Sequence, residues 1–238
     1  DFGFFNLQPS ELAKPTMIIF LSVLFEAFYF RLRNSNKDHN SMLAIILFAG
    51  LFFPLMVFLQ KDMGTMIILC VIFFVMFFSS PILKSDKLKV LFLVLILGVV
   101  GIFIIFANAG KLFSEKQLNR FNFFDPCSRY ESGVYQICNG FIAINSGGLF
   151  GVGIGNSTQK SYIPEAHTDS VFAIIAEEYG FIFASAILIL YIIVLYRILK
   201  ISSTSKTIRG RYIAFGMSIY IFCHIFINLG GLFGIIPL

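Results

Sequence analysis

Residues 162–180, YIPEAHTDSVFAIIAEEYG, place acidic side chains and a histidine against the start of a long apolar run. These side chains are Glu165, His167, Asp169, Glu177 and Glu178. The first three precede the run, and the two glutamates lie about two turns inside it. Carboxylates within a lipid bilayer are costly and usually face a protein or water-filled interior. The stretch therefore predicts a membrane-spanning helix that begins near residue 170, with an acidic mouth and an interior polar network.

The whole chain has the composition of a polytopic membrane protein. Of its 238 residues, 58% are hydrophobic and 13% are charged, and the mean hydropathy is +0.86. A soluble domain is nearer about half apolar and about a quarter charged. A span needs about 20 mostly apolar residues. We predict an all-α transmembrane helical bundle of about six spans with a large folded extracellular loop. The spans are expected near 15–30, 42–59, 65–82, 90–107, 170–197 and 211–230.

Basic residues concentrate in three connections between these spans. The connections hold 11 of the 18 Lys and Arg residues, namely Arg31, Arg33, Lys37, Lys84, Lys87, Lys89, Arg197, Lys200, Lys206, Arg209 and Arg211. Cytoplasmic connections are enriched in Lys and Arg. With six spans the three connections share one side, which is predicted to be cytoplasmic. The net charge of +5 then reflects membrane orientation rather than a nucleic-acid partner.

The alternation of the connections between the two sides of the membrane divides the chain into three parts. Residues 1–107 are predicted to be transmembrane spans with an outer hairpin tip at 60–64. Residues 108–169 are predicted to form the extracellular loop that carries the active-site region, and 170–238 to form further spans. Both ends of the sequence suggest a segment cut from a longer protein, since it opens on Asp1 and closes on an apolar stretch.

The outer loop contains segments that need burial. GVYQICNGFIAI, residues 133–144, predicts a short amphipathic or re-entrant helix. Cys127 and Cys138 share this loop in an oxidising space, so a structural disulfide and two free thiols are both open. GGLFGVGIG, residues 147–155, lacks the GxxxxGK[ST] pattern of a phosphate loop. Its five glycines predict tight turns or close backbone approach instead.

Three charged residues each allow a structural and a functional interpretation. Asp169 suits a helix N-cap or, if partly desolvated, a general base. Lys14 either snorkels to the membrane interface or points into a cavity to hold an anion such as a pyrophosphate. Glu11 precedes Lys14 by three residues, so the two can pair on one helix face. Asp62 is a turn residue, or it orients a cationic neighbour or a metal ion.

Four stretches together resemble one protein family. LQPSELAK (7–14), LQKDMGT (59–65), GGLFGVGIGNSTQKSYIPEAHTDSVFAIIAEE (147–178) and INLGGLFGIIP (227–237) are similar to the SEDS family of shape, elongation, division and sporulation proteins, which includes FtsW, RodA and SpoVE. The similarity runs in order over nearly the whole chain, and PEAHTD leans toward the FtsW division branch. Asn6 departs from a basic residue that division proteins often have two positions before the glutamine.

The resemblance implies a bacterial enzyme of the cytoplasmic membrane. A family member has ten spans, so this segment is expected to lack roughly the first three and the last. The family polymerises lipid II into glycan strands outside the membrane, for cell division or cell shape, with a class B penicillin-binding protein and other divisome or elongasome proteins. Asp169 is then the catalytic residue. Substrate-binding candidates are Lys14, Glu11, Asp62, Arg120, His167 and Glu165. Lys14, Arg120 or a divalent cation such as Mg²⁺ or Mn²⁺ would supply the positive charge near the pyrophosphate; no cofactor is certain.

Two other functions remain open at this point. A lipid II flippase or proton-coupled transporter would use Glu177 or Glu178 as proton carriers and would depend on a transmembrane gradient. A non-catalytic scaffold for a penicillin-binding protein would tolerate loss of Asp169.

Overall fold

The computed structural model describes residues 9–33, 39–60, 62–96, 127, 135–163, 170–233 and 235. The described elements are helices α1 (Pro9–Arg33), α2 (His39–Leu59), α3 (Met63–Ser79), α4 (described over 84–96), α5 (Tyr135–Gly147), a 3₁₀ turn at Gln159–Ser161, α6 (Val171–Thr204) and α7 (Ile208–Leu232). No strand occurs among the described residues. The predicted all-α fold of a multi-pass membrane protein is confirmed.

Four of the described helices are long and apolar enough to cross a membrane, namely α1, α2, α6 and α7. Helix α3 is shorter, with 17 residues, or about 26 Å at about 1.5 Å per residue. A hydrocarbon core is about 30 Å thick, so α3 spans most of it. The count of about six spans stays a prediction, because α4 is described only over 84–96.

One compact unit comprises residues 1–96 and 194–223. Its helices pack closely where glycine leaves room for a neighbour. A Cβ at Gly50 of α2 would overlap the ring of Phe73 on α3. At Gly216 of α7 a Cβ would press on Ile18 of α1 and Met76 of α3. Small residues at such contacts let helices approach in membranes, where packing drives association.

The basic connections meet at one end of this unit. Arg209, at the start of α7, donates to the Glu26 carboxylate of α1, with Nη2–Oε2 2.5 Å and Nε–Oε2 2.8 Å. The Tyr212 hydroxyl donates to the carbonyl of Ser79 at the end of α3 (3.1 Å). Lys87 also binds the end of α3, because its ammonium donates to the carbonyl of Ser80 (2.6 Å). The first, third and fifth connections therefore share an end, as the charge pattern predicts; its cytoplasmic assignment stays a prediction.

The second compact unit comprises residues 97–193 and 224–238. Its apolar core packs α5, the chain after the 3₁₀ turn, the start of α6 and the end of α7; the buried members are Ala143, Ile163, Ala173, Ile174 and Leu232. The predicted short helix at 133–144 is confirmed as α5. Cys127 and Cys138 are joined in a disulfide with Cα atoms 5.1 Å apart, which ties residue 127 to α5.

Candidate active site

In the first unit, Lys14 is the buried member of a polar cluster. Its side chain is 1% exposed, and its ammonium is 2.5 Å from Oε1 of Glu11, one turn earlier on α1. The ammonium also stands 5.8 Å from the ring centre of Tyr220 on α7, a cation–π arrangement. The predicted Glu11–Lys14 pair is thus present, while the snorkelling interpretation is wrong, because packing against α7 turns the side chain into the protein.

Asp62 caps α3 and belongs to the same cluster. Its Oδ1 accepts from the backbone N–H of Thr65 at 3.1 Å, so Asp62 is the N-cap of α3, a more specific role than the turn residue predicted from the sequence. Burial alone raises the pKa of Asp62, but the hydrogen bonds from Thr65, the nearby Ser10 hydroxyl and the charge of Lys14 outweigh it. The pKa therefore lies below its ordinary value of 3.8. Asp62 both caps a helix and faces a cation.

Two substitutions separate these roles of Asp62. Asp62→Ala removes the cap and is expected to lower the unfolding free energy by about 1 kcal/mol, whereas Asp62→Asn keeps a good cap and costs less. Because the folded pKa is depressed, the charge contribution is present above the unfolded pKa and is lost as pH falls through the folded value. Thermal unfolding of the wild type and Asp62→Asn should differ equally at pH 7 and pH 5 and converge below about pH 4. Convergence already at pH 6 would contradict the assignment.

In the second unit, helix α6 is broken at Gly180, whose φ is +84° and ψ 172°. The glycine-rich segment takes over the hydrogen bonds that the break removes. The N–H groups of Val152 and Gly153 donate to the carbonyls of Glu177 and Glu178, at 2.9 and 3.1 Å. In return, Phe181 N–H donates to the carbonyl of Gly148 (2.9 Å), and that of Ile182 to the carbonyl of Leu149 (3.4 Å). Backbone at membrane depth must be satisfied internally, and this exchange does so.

Close backbone approach explains the glycines at this junction, as the sequence predicts. A Cβ at Gly151 would overlap the carbonyl of Glu178, and one at Gly180 would overlap the carbonyl of Leu149. Gly151 also has φ +84°, a region that L side chains rarely adopt. The two segments therefore interlock through glycine backbone on both sides.

Gly151→Ala is expected to destabilise the protein far more than Gly155→Ala. Both residues have left-handed φ, +84° and +78°, but a Cβ at Gly155 meets nothing within 4 Å. Backbone strain alone costs about 1–2 kcal/mol, which is the loss expected for Gly155→Ala. Gly151→Ala also separates the segments and their hydrogen bonds, so we expect about 3 kcal/mol or more. Thermal unfolding of both variants measures the difference; equal losses would mean that the contact with Glu178 is not required.

The Glu177 side chain is 1% exposed and accepts several hydrogen bonds. Its Oε2 accepts from the Ser157 hydroxyl at 2.5 Å, and its Oε1 from the N–H and the hydroxyl of Thr158, both at 3.0 Å. The N–H of Gln159 is 3.4 Å from both oxygens. The interior polar network predicted for the two glutamates is confirmed for Glu177. Glu178 is partly exposed, and its side chain receives no hydrogen bond from the residues described.

The structure describes both flanks of the segment 164–169. Ile163 before it is buried in the core of the second unit. Ser170 after it has its hydroxyl 2.8 Å from Nε2 of Gln136 on α5. Four predicted site residues lie outside the described residues: Arg120, Glu165, His167 and Asp169.

Of the predicted site residues, the structure brings Lys14, Glu11 and Asp62 together. It adds Tyr220, which no sequence pattern singles out, since an aromatic residue in an apolar run is usual in a membrane helix. No group of three or more His, Cys, Asp or Glu side chains suited to a metal ion occurs within the described ranges.

Comparison with known proteins places these features in a family. The family described as "Cell cycle protein", denoted by FtsW, RodA and SpoVE, matches residues 1–238. The chain is 34% identical over 241 residues to the probable peptidoglycan glycosyltransferase FtsW of Haemophilus ducreyi, covering 99% of this chain and 57% of that protein. The chain is also 32% identical over 247 residues to the protein of Bacillus subtilis that has the same description, covering 99% of this chain and 58% of that protein.

A solved structure shares the fold. It is described as "Structural coordination of polymerization and crosslinking by a peptidoglycan synthase complex", and it matches with a TM-score of 0.69 at 21% identity, covering 100% of this chain and 63% of that one. The chain thus spans somewhat less than two thirds of the proteins it resembles. With a family match over every residue and relatives aligned along almost its entire length, the chain belongs to the FtsW, RodA and SpoVE family of cell cycle proteins.

Proposed function

We propose that the protein is a peptidoglycan glycosyltransferase that polymerises lipid II into glycan strands. The observation that carries the proposal is a buried lysine held by Glu11 at the end of the first unit opposite the basic connections. A fixed cation there suits a substrate that releases a pyrophosphate. The relatives aligned over 99% of the chain, described as probable peptidoglycan glycosyltransferases, support the same function.

In the proposed reaction, Asp169 acts as general base. It takes the proton from the 4-hydroxyl of the acceptor GlcNAc as that oxygen bonds to the anomeric carbon of the growing chain's MurNAc. The bond from this carbon to the pyrophosphate oxygen breaks, and undecaprenyl pyrophosphate leaves. A second carboxylate of the kind that glycoside hydrolases use is not needed, because the leaving group is already activated. His167 and Glu165, which neighbour the base in sequence, are proposed to contact substrate.

Positive charge near the leaving pyrophosphate is proposed to come from Lys14. A preorganised charge in a water-poor site costs no reorganisation when the negative charge develops. Glu11 and Asp62 hold the lysine in place, and Arg120 is a second candidate cation. A divalent ion such as Mg²⁺ or Mn²⁺ would supply the same charge, although the described residues offer no cluster of three ligands for it.

The site is proposed to face outward from the bacterial cytoplasmic membrane. The cluster of Lys14 and Asp62 lies opposite the end where the basic connections meet, and basic connections favour the cytoplasm. We propose a class B penicillin-binding protein as partner, to crosslink the strands during cell division or elongation. The neighbour that couples polymerization and crosslinking supports this pairing.

Dependence on a transmembrane proton gradient distinguishes a glycosyltransferase from a proton-coupled flippase. Full-length protein and its partner are reconstituted in liposomes with fluorescent lipid II, and strand formation is measured with and without an ionophore. A glycosyltransferase forms strands at the same rate in both conditions. A proton-coupled flippase moves lipid II only with the gradient and forms no strands. Glu177 argues against proton carriage, because donors already occupy both carboxylate oxygens.

A further inference from the structure

Glu177 is a buried titratable group that the proposed reaction does not use. It lies three residues before the break in α6 at Gly180, with 1% of its surface exposed. The groups around its carboxylate are all donors: two hydroxyls and two backbone N–H groups, from Ser157, Thr158 and Gln159. An ionised carboxylate is acceptor-only with about four acceptor positions. A carboxylate therefore matches this set better than any neutral side chain.

These contacts extend along the chain beyond the carboxylate. The Ser157 hydroxyl, which donates to Glu177, also accepts from the N–H of Lys160 at 3.1 Å. The carbonyl of Gln159 accepts from the N–H groups of Tyr162 and Ile163, at 2.9 and 3.0 Å. Ile163 then enters the core of the second unit, 4% exposed. Residues 157–163 thus form one hydrogen-bonded turn that contacts α6 at two places, through the Glu177 carboxylate and through Ile163 in the apolar core.

A second attachment fixes the start of the same loop. Residues 148–153 exchange four backbone hydrogen bonds with 177–182 across the break at Gly180. The two attachments meet at Glu177, because its carbonyl accepts from Val152 while its carboxylate binds the turn. Glu177 therefore contacts both the glycine-rich loop, at Val152, and the turn, at residues 157–159.

We propose that Glu177 is a positioning residue, whose carboxylate fixes the turn at 157–163, which ends six residues before Asp169 in the sequence. The inference rests on the proposed function for its catalytic consequence. Glu177 does not touch substrate; it acts through the turn at 157–163 and the core position of Ile163. Misplacement of a catalytic group by about 1 Å can lower a rate about 100-fold. Loss of the carboxylate is therefore expected to lower kcat and to leave KM nearly unchanged.

The test compares Glu177→Gln with Glu178→Gln in the full-length protein. Glu177→Gln keeps the side-chain shape but presents an amide N–H₂ to donors. We expect kcat for lipid II polymerisation to fall about 10- to 100-fold with KM within about twofold. Amide hydrogen exchange over residues 157–163, measured by mass spectrometry, should accelerate about tenfold or more. Glu178→Gln removes a neighbouring carboxylate that holds no turn, so both readouts should stay within about twofold of wild type.

A second variant keeps the inference testable if Glu177→Gln folds poorly. Thr158→Val removes one hydroxyl donor and leaves the backbone N–H, so a smaller change of the same sign is expected in both readouts. Because the residues act through one contact, the double variant should be no worse than Glu177→Gln alone.

Two results would overturn the inference: unchanged exchange, whatever the kcat, or faster exchange with unchanged kcat. Asp169→Asn is assayed in parallel. Full activity of that variant would refute the proposed catalytic role, and it leaves the Glu177 contacts untouched, so the two failures are distinguishable.

Discussion

Asp169→Asn is expected to lower the rate of lipid II polymerisation by about 10²- to 10⁴-fold, the usual contribution of a general base. Asparagine has nearly the shape of aspartate but cannot take up the acceptor proton. It is also a good N-cap, so the other interpretation of Asp169 predicts nearly full activity. The assay follows the conversion of fluorescent lipid II by the full-length protein with its partner.

Asp169→Ala is the matched control for the capping role. It removes both the base and any cap, so its activity should equal that of Asp169→Asn. If Asp169 also caps α6, the unfolding free energy of Asp169→Ala should be about 1 kcal/mol lower than that of Asp169→Asn. Co-purification with the partner should be the same for both variants. Activity retained by Asn and lost only with Ala would show that the aspartate is a cap rather than the base.

Lys14→Met is expected to reduce polymerisation about 10²- to 10³-fold, the cost of removing one preorganised charge from a developing anion. The lysine is buried beside Glu11 and over Tyr220, so methionine fills its volume without its charge. The change acts on the departing pyrophosphate, and therefore on kcat more than on KM. Steady-state kinetics on lipid II measure the two separately.

Two controls distinguish this effect from loss of an ion pair. Lys14→Met with Glu11→Gln also removes the carboxylate hydrogen-bonded to Lys14, so it would restore activity if the loss came only from an unpaired Glu11. We expect it to stay inactive. Lys89→Met removes another (i, i+3) pair, with Asp86 at 3.2 Å and the lysine 78% exposed. Asp86 is 9% exposed, so the variant can lose some stability, but Lys89 belongs to the basic connections at the end opposite Lys14, and this variant should be fully active. Recovery in the double variant would contradict the proposed role of Lys14.

Much of the fold follows from local sequence properties. Apolar runs and their lengths predict the described helices, because a membrane helix must satisfy its backbone internally and cover it with apolar side chains. The basic connections correctly predict which helix ends meet, as the Glu26–Arg209 contact shows. The density of glycine in 147–155 correctly predicts close backbone approach.

The break in α6 could not be predicted from the run itself. The apolar run resumes at Phe181, directly after Gly180, and the hydrogen bonds that stabilise the break come from residues about 30 positions earlier. The donors to Glu177 are likewise 18–20 positions away. The orientation of Lys14 depends on how α7 packs against α1, which no local pattern specifies. Nonlocal partners thus determine the polar parts of the candidate site.

Strand synthesis without a gradient tests the central claim most directly. Purified wild-type protein and its partner are mixed with fluorescent lipid II in detergent micelles, where no transmembrane gradient exists, and the products are separated by length on a gel. The proposed function predicts a ladder of glycan strands that lengthens with time, with release of undecaprenyl pyrophosphate. Lipid II left unchanged by a folded, partner-bound protein would contradict it.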